Sequence, residues 1–251
     1  MKVVSLCPSL TELVFDLGRG DDLVGITKFC VHPRDRVGAL EKVGGTKNPD
    51  VERIQALQPD LVLMNREENR IEDAEALTEM GLTCHTSMPR TPEETAAMVR
   101  SIGASLERLA EGEAIARDIE QRAERVRAEA VGKVQVSYAY LIWRKPLMSV
   151  NRDTFSDALL ALAGGRNVFG AHADRYPEIT IADLTGADPA LVLLCTEPFP
   201  FQEEHIAELV AATGWPSIRF RIADGEYLSW HGSRTPDGID YAADLIASSR
   251  T

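Results

Sequence analysis

Two stretches of this chain have the same order of apolar and turn-forming residues: residues 54–64 read IQALQPDLVLM, and residues 181–195 read IADLTGADPALVLLC. Each predicts a short helix, a turn at a proline, and a strand whose unbroken apolar run is typical of a strand buried on both faces. A shorter match, GGTKN at residues 44–48 and GGRN at residues 164–167, occurs in the same order. The repeat predicts that the two halves of the chain share one architecture.

Predicted strands alternate with predicted helices in both halves. Ser9, followed three residues later by Glu12, indicates the start of the first helix. Alternation of this kind is typical of a parallel sheet covered by helices. The predicted strands are residues 3–6, 60–64, 82–85, 134–143, 190–195 and 218–222, and the predicted helices are residues 9–17, 51–57, 68–80, 154–163, 203–212 and 236–248.

The middle of the chain predicts helix throughout. Thr91, Pro92 and Glu94 form a strong start signal, and apolar residues then recur every three or four positions as far as Gly132. We expect Gly112 to interrupt this pattern, and a long helix to begin at about residue 113. The predicted fold is therefore α/β, with two Rossmann-like lobes of mostly parallel sheet joined by a single long backbone helix. The predicted boundaries are 1–111 for the N-terminal lobe, 112–132 for the connecting helix and 133–251 for the C-terminal lobe.

Composition excludes several classes of partner. The 251 residues include 39 acidic and 27 basic side chains, a formal net charge of −12, which repels the phosphates of nucleic acid. No apolar run approaches the roughly 20 residues of a membrane helix, so we expect no membrane span. The first ten residues, MKVVSLCPSL, are too short an apolar stretch for a signal peptide. They predict a cytoplasmic protein, or a periplasmic or extracellular one if the chain is a mature form.

Three stretches carry a resemblance to a known family: SLCPSLTELVFDLG at residues 5–18, VGGTKNPDVERIQALQPDLVLM at residues 43–64, and YPEITIADLTGADPALVLLC at residues 176–195. Their order and spacing, together with the central helix, resemble the helical backbone metal receptors. These are the cobalamin-, ferric-siderophore- and haem-binding proteins of ABC importers, with the class III periplasmic binding-protein fold. The resemblance extends over nearly the whole chain.

The resemblance implies a protein that holds a metal chelate, such as a corrinoid, haem or ferric siderophore, in a cleft between two lobes. It also implies an ABC permease as a partner, to which one acidic residue on each lobe would dock. Glu68 and Glu203, near the predicted starts of two helices, are the candidates for that docking.

Candidate ligand contacts follow the predicted strands, because ligands of parallel α/β lobes meet the loops at the carboxyl ends of the strands. Aromatic side chains there would stack on a flat macrocycle, and arginines would bind carboxylate or phosphate groups. The candidate ligand-binding residues are Lys28, Cys30, His32, Lys47, Arg66, Trp143, Arg144, Arg152, Tyr176, Phe199, Trp230 and His231.

Two other functions stay open at this point. Cys30 and His32 could bind a bare transition-metal ion in a cytoplasmic relative, provided that His231 or Glu67 supplies a third donor. A cytoplasmic enzyme could use the same cleft, although no G-x-S-x-G, H-E-x-x-H, Walker or G-x-G-x-x-G motif occurs. We therefore expect no enzyme activity. A corrinoid, a haem or a transition-metal ion is expected only as the ligand.

Overall fold

The computed structural model describes residues 1–250, and these form two compact units. The first unit contains residues 1–89, 93–118 and 231–234; the second contains residues 90–92, 119–230 and 235–250. No helix among the described residues combines the length and the apolar character needed to cross a bilayer.

The first unit is built on a four-stranded parallel sheet in the order β2-β1-β3-β4. Apolar side chains of the two central strands, such as Val4 and Met64, form its core with Ile54. Its elements are β1 (Val3–Ser5), α1 (Pro8–Asp16), β2 (Leu23–Ile26), α2 (Val51–Leu57), β3 (Leu61–Asn65), α3 (Ile71–Glu79), β4 (Cys84–Ser87), α4 (Pro92–Ser105) and the first part of α5 (Leu109–Ala130).

The second unit repeats this arrangement, with a four-stranded parallel sheet in the order β6-β5-β7-β8. The predicted fold class is therefore confirmed. After the second part of α5, the elements are β5 (Val136–Leu141), α6 (Phe155–Leu162), β6 (Gly165–Asn167), α7 (Ile181–Ala187), β7 (Leu191–Cys195), α8 (Glu203–Thr213), β8 (Phe220–Ala223), α9 (Gly225–Ser229) and α10 (Thr235–Ala247).

The two copies of the sequence repeat end their helices in the same backbone conformation. Gln58 ends α2 with φ 51°, and Asp188 ends α7 with φ 42°, so both residues are left-handed. Each precedes a proline, which disfavours right-handed helix in the residue before it. The left-handed residue ends each helix and turns the chain into the central strand that follows.

Two predicted helix starts lie elsewhere. α1 begins at Pro8 after Cys7, with no side-chain cap, and Ser9 is buried inside the helix. Proline is well suited to a first helical position, which needs no amide donor. α3 begins at Ile71, later than predicted. The short elements β2, β6 and α9 were not predicted.

Gly112 does not interrupt the helix as expected. The chain turns earlier, where Glu107 adopts φ 56°, and Gly112 lies inside α5. A Cβ atom on Gly112 would lie 3.2 Å from the carbonyl oxygen of Val99 and 3.3 Å from the Cα of Gly103, both on α4. The glycine therefore permits close packing of two helices. The division between the two units falls after Asp118 within α5, and the connecting role of residues 112–132 stays a prediction.

Candidate functional site

Two half-exposed aromatic rings meet at the carboxyl edge of the second unit's sheet. Trp143 follows β5 and Phe199 follows β7, and their ring centroids are 5.8 Å apart with an interplanar angle of 71°. Trp143 is 39% exposed, and its indole Nε1 donates to the carbonyl of Lys145 at 3.1 Å. The bond fixes the indole while leaving ring surface accessible to a ligand.

The pair is anchored in the core of its unit. The Phe199 ring also packs edge-to-face on Phe201, at 4.8 Å, and on His205, at 5.3 Å. Phe201 is buried, and the His205 Nδ1 accepts a hydrogen bond from the amide of Gln202 at 2.9 Å. The aromatic layer therefore runs from the core to the surface, and its outer end is held in place.

A second group on this edge is cationic. The Asp153 carboxylate accepts from Arg90 Nη1 at 3.0 Å and from Arg175 Nη1 at 2.6 Å. Arg152, next to Asp153, is exposed. The Arg175 guanidinium lies 5.8 Å from the ring centroid of Tyr176, which is itself partly exposed. Two residues predicted from sequence, Arg152 and Tyr176, are thus accompanied by Arg90 and Arg175, which were not predicted.

Other predicted residues of the second unit are placed differently. Arg144 forms a two-pronged ion pair with Glu208, with nitrogen–oxygen distances of 2.6 and 3.1 Å. Trp230 is only 7% exposed, and its Nε1 donates to Glu197 Oε2 at 2.9 Å. We expected Trp230 to offer a stacking surface, but burial at the end of α9 leaves little of the ring accessible. Glu203 is the first residue of α8 and is exposed.

The carboxyl edge of the first unit's sheet is closed by buried amides. Asn69 Nδ2 donates to the carbonyls of Leu6 and Thr46, both at 2.9 Å, and its Oδ1 accepts from the Asn65 amide at 2.8 Å. Asn65 Nδ2 lies 2.7 Å from His231 Nε2. These hydrogen bonds fix the positions of the two asparagine side chains and of the loops around them.

The tautomer of His231 follows from its partner. Asn65 Oδ1 accepts from the amide of Glu67 at 2.8 Å, so the other end of this side chain, Nδ2, is the donor. The Nε2 of His231 therefore accepts, and the neutral ring carries its proton on Nδ1. A ring nitrogen used in this way is not available as a metal ligand.

In the loop after β2, Thr27 and Cys30 are buried, whereas Lys28 and Phe29 between them are exposed. Cys30 is 3% exposed, and its sulfur contacts the hydroxyls of Thr11 at 3.1 Å and Thr27 at 3.2 Å. Burial raises the pKa of this thiol, which disfavours the thiolate that binds metals. Phe29, beside it, is 51% exposed.

The bare-metal hypothesis lacks a complete ligand set. His32 is partly exposed, but no group of three His, Cys, Asp or Glu side chains suited to a metal ion occurs within residues 1–250. The third donor on which this hypothesis depended is not found there.

Phe29 is a candidate that the sequence-based selection missed. Its ring lies 5.1 Å from the Nζ of Lys28, at the carboxyl edge of the first unit. No alternation in the sequence could have predicted this, because residues 27–30 form a turn in which Lys28 and Phe29 are both exposed and the Cys30 amide donates to the carbonyl of Thr27 at 3.2 Å.

The remaining predicted residues of the first unit lie around the loop that follows β3. The Nζ of Lys47 donates to the carbonyl of Glu67 at 2.6 Å, and Arg66 is exposed. Glu68 is partly buried three residues before α3, and burial raises the pKa of its carboxyl. Glu68 therefore lies before the helix start and not within its first turn, and its role in docking stays a prediction.

Comparison with known proteins identifies the family. The sequence model of the protein family described as "Periplasmic binding protein" matches residues 3–220. The chain belongs to this periplasmic binding protein family. The resemblance inferred from the sequence is confirmed.

Individual relatives agree with this assignment. The vitamin B12-binding protein of Vibrio parahaemolyticus is 29% identical over 191 residues, which cover 76% of this chain and 69% of that protein. A crystal structure of the periplasmic vitamin B12 binding protein of Vibrio cholerae has the same fold, with a TM-score of 0.85 at 22% identity, over 100% of this chain and 98% of that one. The apo periplasmic haem-binding protein of Roseiflexus sp. RS-1 gives 0.84 at 22% identity, over 99% and 97%.

The family and the two solved structures are described as periplasmic, in agreement with the exported alternative and not with the cytoplasmic expectation. That expectation depended on the first ten residues alone.

Proposed function

We propose that this protein is the substrate-binding component of an ABC importer and that its cargo is a metal chelate built on a flat macrocycle, a corrinoid or a haem. The exposed Trp143–Phe199 pair carries the proposal. It lies at the carboxyl edge of a parallel sheet, where ligands of such lobes bind, and a flat macrocycle needs an aromatic surface of this kind.

Family membership supports the same function. The relatives reported above are named for binding vitamin B12 or haem, and neither name describes an enzyme. We infer a binding protein that works outside the cytoplasm. Delivery to a permease would use exposed acidic groups, of which Glu203 at the start of α8 is the better placed candidate.

The two macrocycles make different demands on the protein. Haem iron in proteins is held by a His, Cys, Met or Tyr side chain. His32 and Tyr176 are both partly exposed and are the candidates for that role. A corrinoid that carries its own axial ligands would need only the aromatic surface and polar contacts.

The experiment is a titration of the purified protein with cyanocobalamin and, separately, with haem, followed by tryptophan fluorescence and visible absorption. We expect saturable quenching by at least one macrocycle, and about 5- to 30-fold weaker binding by Trp143→Ala, since a stacked aromatic contributes on the order of 1–2 kcal/mol. Absence of saturable binding by either macrocycle would contradict the proposal.

The matched control is Trp215→Phe. Trp215 is partly buried near the amino end of β8, where its ring lies 6.2 Å from that of Phe220 and 4.8 Å from the Arg219 guanidinium. This variant should bind as the wild type does. An equal loss in both variants would mean that Trp143 acts through the fold and not through the ligand. His32→Ala and Tyr176→Phe should change the haem spectrum only if the side chain ligates the iron.

A further inference from the structure

A groove of about 340 Å³ runs along one face of α8 in the second unit. One wall is lined by His205, Glu208, Leu209 and Ala212. Their spacing places them on the same side of the helix, so the groove follows the helix axis for about 10 Å. Its volume is within the range of small-molecule sites, about 300–1,000 Å³. A groove of this shape suits a linear chain better than a flat macrocycle.

The floor of the groove is apolar and consists of core residues. Ile179, Phe201 and Leu209 are buried, and Leu147 and Ile181 pack against them with part of their surface exposed. Apolar surface at the bottom of a groove gains free energy when an apolar ligand covers it in place of water. The floor therefore favours a hydrocarbon chain.

The rim of the groove carries one charge that no other side chain balances. Arg144 and Glu208 both line the groove, and they bind each other at 2.6 Å. Lys145 also lines it and is exposed, and within residues 1–250 its Nζ makes no hydrogen bond or ion pair. Several carboxylates on the flanking segments do not line the groove: those of Glu178, Asp183, Glu203 and Glu204.

A buried imidazole supplies a second donor. His205 lines the groove and is only 7% exposed, and its Nδ1 accepts from the amide of Gln202. The neutral ring therefore carries its proton on Nε2. This Nε2 lies 3.8 Å from Glu204 Oε1, which is longer than a hydrogen bond. Its N–H is therefore available to an oxygen of a ligand.

We propose that this groove binds an amphiphilic monocarboxylate, a free fatty acid of medium chain length. The hydrocarbon chain lies along α8 on Ile179, Phe201 and Leu209. The carboxylate lies at the rim, where Lys145 and the Nε2–H of His205 are its donors. Neither Trp143 nor Phe199 lines the groove, so this site does not depend on the nature of the macrocyclic cargo.

The test is calorimetric titration of the purified full chain with octanoate, octanamide and butyrate at neutral pH, below micelle-forming concentrations. Octanoate should saturate a single site. Octanamide has the same shape without the charge and should bind about two- to fivefold more weakly, which is the contribution of an exposed ion pair. Butyrate keeps the carboxylate on a shorter chain and should bind at least about tenfold more weakly, because it buries fewer methylenes.

One pair of variants tests the recognition of the carboxylate. Lys145→Gln should weaken octanoate binding about two- to fivefold and leave octanamide binding unchanged. Lys133→Gln is the matched control, because Lys133 is an exposed lysine that follows α5 in the same unit and does not line the groove. It should leave the binding of all three probes unchanged.

A second pair tests the location of the chain. Ala211 and Ala212 are neighbouring exposed residues of α8, and only Ala212 lines the groove. Ala212→Glu places a carboxylate and added bulk in the wall, so it should weaken octanoate binding at least about threefold. Ala211→Glu adds the same charge on another side of the helix and should have no effect.

Three results would overturn the inference. The first is the absence of saturable octanoate binding to the wild type. The second is equal binding of octanoate and octanamide, which would mean that the groove does not recognise a carboxylate. The third is an equal loss of octanoate binding in Ala211→Glu and Ala212→Glu, which would mean that the fatty acid binds elsewhere.

Discussion

The loops that follow the equivalent strands β3 and β7 carry chemically different side chains at the same position. Four residues after the end of β3 lies Asn69, which is buried and makes three hydrogen bonds; four residues after the end of β7 lies Phe199, a partly exposed ring in contact with Trp143. The backbones that lead to these positions are alike. One edge is thus closed by its own amides, whereas the other presents aromatic surface.

A second difference concerns the chain that follows the first strand of each unit. Only Leu6 and Cys7 separate β1 from α1, whereas residues 142–154 separate β5 from α6. The longer connection carries Trp143, Arg144, Arg152 and Asp153. A repeated architecture therefore specifies where a site can be, and the loops that differ between the copies specify what the site can bind.

The largest expected effect comes from the two matched positions. Asn69→Ala should lower the free energy of unfolding by about 2–4 kcal/mol, because it leaves buried carbonyls and an amide without partners. Phe199→Ala should cost about half as much, because its ring is only partly buried, yet it should weaken ligand binding more. Urea denaturation measures the change in the free energy of unfolding, and ligand titration measures the change in affinity. An Asn69→Ala variant as stable as the wild type would contradict the structural role of Asn69.

The second effect compares two ion pairs with similar geometry. Arg234 pairs with Glu12 through two bonds of 2.6 and 2.8 Å, and the side chains are 16% and 17% exposed; Arg144 and Glu208 are 31% and 54% exposed. Arg234→Ala should lower stability by about 1–3 kcal/mol, since it leaves a largely enclosed carboxylate on α1.

Arg144→Ala is the matched variant and should cost about 1 kcal/mol or less, because water screens an exposed pair. Thermal unfolding at low and high salt distinguishes them: salt should weaken the contribution of Arg144 more than that of Arg234. Equal losses at both positions would show that exposure does not control the strength of these pairs.

The smallest effect is on acid stability. Hydrogen bonds from Arg100 and Arg117, both at 2.6 Å, lower the pKa of Glu113 to about 2, whereas hydrogen bonds from Thr180 lower the pKa of Asp183. A carboxyl whose pKa is lower in the folded state stabilises the protein above its unfolded pKa. That contribution is lost as the pH falls, for Glu113 between its ordinary value of 4.5 and about 2.

Glu113→Gln should therefore reduce stability near neutral pH and flatten the acid side of the stability curve, and Asp183→Asn should do the same more weakly. Unfolding midpoints measured from pH 7 to pH 2 check this. A curve for Glu113→Gln that parallels the wild type would contradict it.

Much of the fold could be predicted from sequence because its signals are local. The proline turns after Gln58 and Asp188, and the apolar runs of β3 and β7, specify helix and strand within a dozen residues. Errors occurred where a contact distant in sequence decided the outcome. Gly112 looked like a helix break, but a glycine is found there because α5 packs closely against α4. Glu12 looked like part of a helix cap, but its carboxylate pairs with Arg234.

The candidate site was predicted in part, for the same reason. Sequence placed Trp143, Phe199, Arg152 and Tyr176 in loops after strands, and all four lie at that edge with some exposure. It did not predict that Trp230 is buried against Glu197. Arg90 and Arg175, which come from distant parts of the chain and converge on Asp153, gave no sequence signal at all.

By itself, then, the sequence determined the family, the repeated α/β architecture and the edge of each sheet where a ligand would be met. These depend on backbone preference and on the periodicity of apolar residues, both of which act over short distances along the chain. Only the tertiary structure decided which side chains at those edges are exposed and which already bind other residues of the chain. Whether an amide, an indole or a guanidinium is free for a ligand depends on contacts with residues far away in sequence, as the buried Asn69 and the exposed Trp143 illustrate.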